Sequence, residues 1–332
     1  MALGQEQSGV LFSLIATRLV RVSGAVLSSQ GTPVSNGMVM LTPAGARLGA
    51  GAMMQSLSGR VEATGQFRLT NVPPGRYTAQ IRSSRGRVGP NGPAADALAE
   101  FGRQDITVGG EDLDGVVIVT APGARVTGQI VTDTGVAAAI RPQQVSVGAR
   151  LAEPDQGTPT GGGNTRVNDN WTFEITGLFD ARIFRAALPQ GWSLKAVLLN
   201  GQDITDTPLE LPPGQTTTGM QIVITEKANN VSGRVTDARG TAVTDVTVVI
   251  FPADEARWTF QSRFIRAARP DQDGQFQILG LPPLERYLAV AVQGLEDGQA
   301  GDPEFLASVK DAATSFSLNE GESRALDLRF AR

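Results

Sequence analysis

The sequence predicts an all-β protein built of tandem seven-stranded β-sandwich domains, three of them in a row, with short helices in their late loops. Three observations predict this fold: a motif that recurs at domain-sized intervals, a composition rich in turn-forming residues, and short segments that alternate with a period of two. Glycine and proline supply 39 and 19 of the 332 residues, whereas aromatic residues supply only 5%. That balance favours many short strands over long helices.

A V-x-G-x-V motif or a close variant opens each repeat. It reads V-S-G-A-V at residues 22–26, V-T-G-Q-I at 126–130 and V-S-G-R-V at 231–235. The central glycines lie about 100 residues apart, which is the size of one immunoglobulin-like (Ig-like) domain. A second glycine follows seven positions after each of them, and then an alternating strand such as M-V-M-L at residues 38–41. We therefore expect each repeat to close its own hydrophobic core.

Further markers recur later in each repeat. A G-Q-F strand at residues 65–69 matches another at 274–278, and W-T-F-E-I at 171–175 is the weaker middle copy. A Pro-Pro turn leading to a tyrosine follows in the first and third repeats, at Tyr77 and Tyr287, whereas the middle repeat has G-L-F-D-A-R at 177–182. These markers predict a corner in which a buried tyrosine hydroxyl bonds to the backbone.

The repeat pattern sets the predicted boundaries. Residues 22–121, 124–226 and 229–332 form the three sandwiches, of which the second is the most divergent. Residues 1–21 are interpreted as the closing strand of a truncated upstream repeat or as an N-terminal extension, the alternative being an extra strand that pairs with the first domain. Helices are predicted within residues 93–101 and after Asp302, where Asp, Pro and Glu are placed to start one.

These motifs resemble carboxypeptidase regulatory-like repeats, a transthyretin-like (prealbumin-like) family that is also placed near carbohydrate-binding-like sandwiches. The resemblance covers the whole chain in three copies and is clearest at residues 22–82 and 231–292. It implies Ig-like or prealbumin-like sandwiches without catalytic residues of their own. It also implies a bacterial protein exported to the periplasm, the cell surface or the medium.

The composition excludes several classes of function. The chain contains no cysteine and no histidine, which removes disulfides, thiol nucleophiles, imidazole metal ligands and the Ser-His-Asp triad. A net charge of −4, spread along the chain, gives no basic face for nucleic acid. No apolar run approaches the length of a membrane span, and residues 10–16 lack the flanks of a signal peptide. We therefore predict a protein that is not an enzyme.

Several short motifs imitate reactive sites and are interpreted as turns or surface features, so no catalytic, cofactor-binding or metal-binding residue is assigned. Asp133-Thr134-Gly135 resembles an aspartic-protease signature without a second copy. Ser193 with Lys195 and Ser308 with Lys310 miss the S-x-x-K spacing by one residue. The segments 271–274 and 200–206 are hairpin turns first and weak calcium sites second. Lys227 is the weak candidate for an isopeptide bond, which would need a buried lysine, asparagine and acid together.

The three tryptophans are the candidate ligand residues. Trp171 and Trp258 would stack on sugar rings, since indoles offer flat apolar surface with a polar edge. Core or edge packing is the competing interpretation for both, and Trp192 is expected in the core.

Three functions remain open. The first is a non-catalytic extracytoplasmic array with a structural, adhesive or display role. The second is an array of carbohydrate-binding modules. The third is a filament subunit in which the N-terminal strand is donated to another copy of the chain. Across these alternatives the expected partner is a cell-surface polysaccharide, a cell-surface protein or another copy of the chain.

Overall fold

The computed structural model describes residues 17–35, 37–44, 57–84, 88–89, 92–93, 99–134, 140–152, 163–259, 262–296 and 298–330. The chain divides into two compact units, one that ends at Pro122 and one that begins at Gly123. The first contains one β-sandwich and the second contains two. Residues 1–16, the main part of the predicted N-terminal strand, lie outside the described residues. The domain boundaries given above remain predictions.

The first sandwich is formed by nine strands, two of them only two residues long. They are β1 (Val20–Leu27), β2 (Met38–Pro43), β3 (Leu57–Arg60), β4 (Gln66–Val72), β5 (Gly75–Ser84), β6 (Val88–Gly89), β7 (Gly92–Pro93), β8 (Ala99–Val108) and β9 (Leu113–Pro122). The main sheet has the order β3-β2-β5-β8-β9-β1-β4. Its two edge strands approach each other at a bridge between Val61 and Phe67. The alternating residues of these strands enclose one apolar core.

The V-x-G-x-V glycine permits a close approach between the first and last strands of each sandwich. In the first sandwich β1 runs parallel to β9, and the register shifts between Val22 and Gly24. A Cβ atom on Gly24 would lie 1.9 Å from the carbonyl oxygen of Val116. The equivalent distances are 2.4 Å for Gly128 and 1.8 Å for Gly233. Only glycine fits at a contact this close, which explains why the motif recurs.

The second sandwich follows the same order of elements. Its strands are β10 (Ala124–Thr132), β11 (Ser146–Leu151), β12 (Asn164–Arg166), β13 (Thr172–Leu178), β14 (Arg182–Ala187), β15 (Ser193–Leu199), β16 (Gln202–Asp203) and β17 (Thr216–Thr225). One sheet has the order β13-β10-β17-β15-β16 and the other β12-β11-β14. The core between them contains the buried side chains of β10, β11, β13, β14 and β17.

The third sandwich completes the chain. Its strands are β18 (Asn230–Thr236), β19 (Thr247–Pro252), β20 (Arg266–Ala268), β21 (Gln275–Leu279), β22 (Leu284–Val292), β23 (Thr314–Leu318), β24 (Ser323–Ala325) and β25 (Leu328–Arg329). One sheet joins β21, β18 and β24, with β25 continuing the pairing to β18, and the other has the order β20-β19-β22-β23. In each sandwich the first strand lies between an antiparallel and a parallel neighbour.

The sixth main strand changes sheets from one sandwich to the next. In the first, β8 pairs with β5 along its length and with β9 over three residues. In the second, β15 pairs with β17, and in the third, β23 pairs with β22. Within the described residues, β14 therefore has only β11 as a full strand partner.

A helical insertion covers the outer face of the third sandwich. Helix α1 (Pro303–Val309) begins at Asp302, whose side chain accepts a hydrogen bond from the Glu304 amide, as the sequence predicted. Leu306 packs with Trp258 and β19 in a second apolar cluster, which is why β19 is buried on both faces. The helix predicted within residues 93–101 is wrong where it is described, because residues 99–101 begin β8 and Pro93 lies in β7. Residues 94–98 lie outside the described part.

Candidate functional site

The predicted tyrosine corner is present in the first and third sandwiches. The Tyr77 hydroxyl donates to the Pro73 carbonyl at 2.9 Å, and the Tyr287 hydroxyl donates to the Pro282 carbonyl at 2.9 Å. Tyr287 is fully buried and stacks on Phe316 with ring centroids 5.5 Å apart. Burial raises the pKa of both phenols. Both hydroxyls therefore serve as neutral structural donors.

Arg182 takes the place of the corner tyrosine in the second sandwich. It pairs with Leu151, the last residue of β11, as Tyr77 and Tyr287 pair with the last residues of β2 and β19. Its side chain is buried, and its Nε donates to the Phe179 carbonyl at 2.7 Å. Burial lowers the pKa of the Arg182 guanidinium, while Asp180 opposes that shift. The sequence pattern did not predict this role, although Arg182 ends the segment that stands in place of the Pro-Pro-Tyr turn.

The tryptophans do not converge on one site. Trp258 is buried, its indole N–H donates to the Pro252 carbonyl at 2.8 Å, and it packs edge-on against Phe251. This placement fits packing and leaves little of its ring for a sugar. Trp171 is half-buried against the second core, with φ 65° in the left-handed position that a glycine occupies in the matching hairpins. Stacking by Trp171 remains a prediction. Trp192, which was expected in the core, is half-buried and packs against the same core from its edge.

The suspected calcium and protease motifs are part of turns or of structural hydrogen bonds. Asp271 Oδ1 accepts from the amides of Asp273 and Gln275, both at 2.9 Å. Asn200 and Gly201 have φ of 50° and 83°, as in a tight hairpin turn. Asp133 accepts from the Thr225 hydroxyl at 2.9 Å. Among the residues that the structure describes, no cluster of three acidic side chains is placed to hold a metal ion.

The three lysines occupy surface positions. Lys227 is exposed, whereas an isopeptide bond requires a buried lysine, so the weak isopeptide hypothesis is not favoured. Lys310 forms an ion pair of 2.6 Å with Glu255. Lys195 forms ion pairs of 3.2 Å with Asp133 and 2.7 Å with Glu320, and its hydrogen bonds to these groups raise its pKa. A lysine held in the protonated state is not a general base.

Several ion pairs join the second and third sandwiches. We call the region formed by Arg185, Lys195, Asp206, Arg263 and Glu320 the junction. Asp206 of the second sandwich accepts hydrogen bonds from Arg185 Nη2 at 3.1 Å and from Arg263 Nε at 2.9 Å, and Arg263 belongs to the third sandwich. Arg263 Nη2 lies 2.9 Å from Asp206 Oδ2, the second carboxylate oxygen, so the Arg263 contact is bidentate. Lys195 makes a second bridge, because Glu320 belongs to the third sandwich and Asp133 to the second.

The junction was invisible in the sequence. The sequence indicates for Asp206 only the end of a hairpin turn or a weak calcium site, and its partner Arg263 lies 57 positions later. The sequence offered one indirect indication of a special role for this region, because the segment before Arg182 departs from the repeat pattern. The side chains of Arg185 and Arg263 are 13% and 16% exposed, so these contacts are better shielded from solvent than ordinary surface pairs.

Comparisons with known proteins give distant structural similarities. No protein-family model matches the chain, and no curated protein matches it. Similar solved structures include a streptococcal ancillary pilin, with 13% identity and a TM-score of 0.27 over 94% of this chain and 99% of that one. The minor pilin of Streptococcus agalactiae has 11% identity and a TM-score of 0.33 over 62% of this chain and 95% of that one. The TIE protein of Bacillus anthracis has 10% identity and a TM-score of 0.24 over 94% of this chain, which spans half of its length.

The strand pairing defines the class of this protein. It is an all-β protein of tandem β-sandwiches. Within the described ranges, no helix is long and apolar enough to cross a membrane.

Proposed function

We propose that this chain is a non-catalytic structural protein of the cell exterior, whose sandwiches form a segment of a surface fibre or array. The observation that carries the proposal is the junction. Two independent ion-pair bridges, centred on Asp206 and Lys195, tie the second and third sandwiches. A structural segment needs such ties, because without them a short linker lets neighbouring domains move independently.

Relative motion of the two sandwiches tests this role. Residual dipolar couplings from the weakly aligned full chain should fit one alignment tensor for the second and third sandwiches together. The double variant Asp206→Ala with Lys195→Ala should require two tensors, because it removes both bridges. The variant Asp311→Asn, which changes an exposed carboxylate, is the matched control and should behave as wild type. Two tensors in the wild-type chain would refute the structural proposal.

A finer form of the proposal is assembly into a filament with other copies of the chain, by donation of the N-terminal strand. The structure narrows the segment that an experiment on strand donation should change, because Val20 and Arg21 already belong to β1. Residues 1–16 are therefore the segment to replace, with glycine and serine at equal length. Electron microscopy and sedimentation should show polymers of the wild-type chain that the replacement abolishes. Polymers that persist, or their absence from wild type, would exclude strand donation.

Family membership is also part of the proposal. The V-x-G-x-V strand and the Pro-Pro-Tyr corner support descent from carboxypeptidase regulatory-like repeats, and the export implied by that resemblance supports an extracytoplasmic location. Adhesion to a polysaccharide through Trp171 is the competing role. Titration of neutral glycans against tryptophan fluorescence distinguishes it, because a change lost in Trp171→Phe would favour the adhesive role over the purely structural one.

A further inference from the structure

A cavity of about 240 Å³ lies at the junction, between the second and third sandwiches. Arginines from both sides line it: Arg150 and Arg185 from the second sandwich, and Arg263 and Arg266 from the third. Apolar side chains complete part of the wall, namely Leu188, Trp192, Leu194 and Pro282. The cavity thus combines several guanidinium groups with a patch of apolar surface.

The positive charge of this wall exceeds its negative charge. Arg185 and Arg263 share the single carboxylate of Asp206. Arg266 donates to one acceptor in the described part of the chain, the carbonyl oxygen of Ile265 at 2.9 Å. Arg150 aside, the guanidinium groups of Arg185, Arg263 and Arg266 are therefore balanced, among the described residues, by the one carboxylate of Asp206. A guanidinium has five N–H donors, so Arg266 retains capacity for a further acceptor.

This excess charge is partly removed from solvent. Burial lowers the pKa of Arg185 to about 10; Asp206 opposes the shift, whereas the neighbouring Arg263, Arg150 and Arg266 add to it. Burial also lowers the pKa of Arg266. Like charges held together with reduced solvation disfavour the empty state of a cavity, and a bound anion would offset that cost.

We propose that the junction cavity binds an oxyanion, either a carboxylate or a phosphate group, carried by a ligand no larger than a monosaccharide. Guanidinium forks match both groups in geometry and charge. The volume lies just below the roughly 300–1,000 Å³ of drug-sized ligand pockets, which limits the ligand to a small one. Trp192 and the leucines would contact its apolar body. Because both sandwiches supply arginines, such a ligand would also tighten the junction.

Calorimetric titration of the full chain tests the proposal, with galacturonate and inorganic phosphate as anions and galactose as the neutral probe. We expect saturable binding of at least one anion that weakens with added salt, and none of galactose. Arg266→Gln should weaken binding about tenfold or more, as the loss of a charge-assisted contact does. The Arg266→Gln variant keeps the Asp206 ion pairs, because these involve Arg185 and Arg263. Arg269→Gln changes an exposed arginine of the same strand end and should bind as wild type.

The two anions separate the sources of the oxyanion. Binding of galacturonate alone assigns the site to an acidic sugar, and binding of phosphate alone assigns it to phosphate or a phosphate ester. Thermal melting checks that Arg266→Gln is folded, and Arg150→Gln replaces it if it is not. The proposal is overturned if neither anion saturates, if galactose binds equally well, or if the folded arginine variant binds as wild type does.

Discussion

Substitution of the motif glycine in the first sandwich, Gly24→Ala, should separate two paired strands. The added Cβ would lie 1.9 Å from the Val116 carbonyl oxygen, 2.7 Å from its carbonyl carbon and 2.9 Å from its Cα. All three are backbone atoms, so no side-chain rotation relieves the clash. To reach an ordinary contact of 3.4 Å, β9 would have to move by about 1.5 Å away from β1.

A displacement of this size disrupts the parallel pairing that runs from Val22 to Leu27 on β1. Overpacking against mobile side chains costs about 1–3 kcal/mol, and a clash with backbone lies at or above the upper end of that range. Strained hydrogen bonds add about 1 kcal/mol each. We therefore expect Gly24→Ala to lower the free energy of unfolding of the first sandwich by about 3 kcal/mol or more.

Urea denaturation followed by far-UV circular dichroism measures this difference. Gly110→Ala is the matched control, because a Cβ on Gly110 would meet no atom within 4 Å. It should change the free energy of unfolding by less than about 0.5 kcal/mol. Equal stabilities of the two variants would refute the argument that close approach of β1 and β9 selects glycine in the motif.

Three further predictions concern the second and third sandwiches. Trp258→Ala should destabilise the third by about 3–5 kcal/mol, measured by thermal melting, because it empties the cluster beneath α1. Tyr287→Phe should cost about 1–3 kcal/mol in urea denaturation, since it leaves the Pro282 carbonyl without its donor. Burial alone would raise the pKa of Asp133, yet hydrogen bonds from Thr225 and Lys195 hold it below its ordinary value of 3.8. Its contribution to stability is present above that value and is lost as the pH falls through the lowered pKa. Asp133→Asn should therefore flatten the acid side of the stability profile.

The sequence could predict the features that repeat, because repetition gives three independent views of one local requirement. The V-x-G-x-V glycine was located by its recurrence, and the structure supplies the reason in the contact with Val116. The corner was predicted in the same way, since a Pro-Pro turn before Tyr77 or Tyr287 can place the hydroxyl near a backbone carbonyl only a few positions away. These are short-range relations, and local patterns report them well.

The features that occur once were not predictable from the pattern. Trp258 was considered for sugar stacking because nothing in the sequence shows that α1, about fifty positions later, covers the same sheet face as Phe251. The Asp206 contact with Arg263 likewise depends on how two folded sandwiches meet. Such contacts are set by tertiary packing. The residue type at each position, taken alone, does not distinguish these side chains from ordinary surface residues.

The divergence of the middle repeat and the position of the junction are connected. Arg182 replaces the corner tyrosine at the start of β14. Because β15 pairs with β17, β14 has no second strand neighbour among the described residues, unlike its counterparts β5 and β22. From this strand, Arg185 reaches Asp206 and, through it, Arg263 of the third sandwich. On the opposite wall lies Pro282, which belongs to the intact corner of the third sandwich. The copy that departs from the repeat pattern is thus the copy whose strand β14 contributes Arg185 and Ala186 to the wall of the arginine cavity. Loss of the pattern there marks a surface adapted for contact.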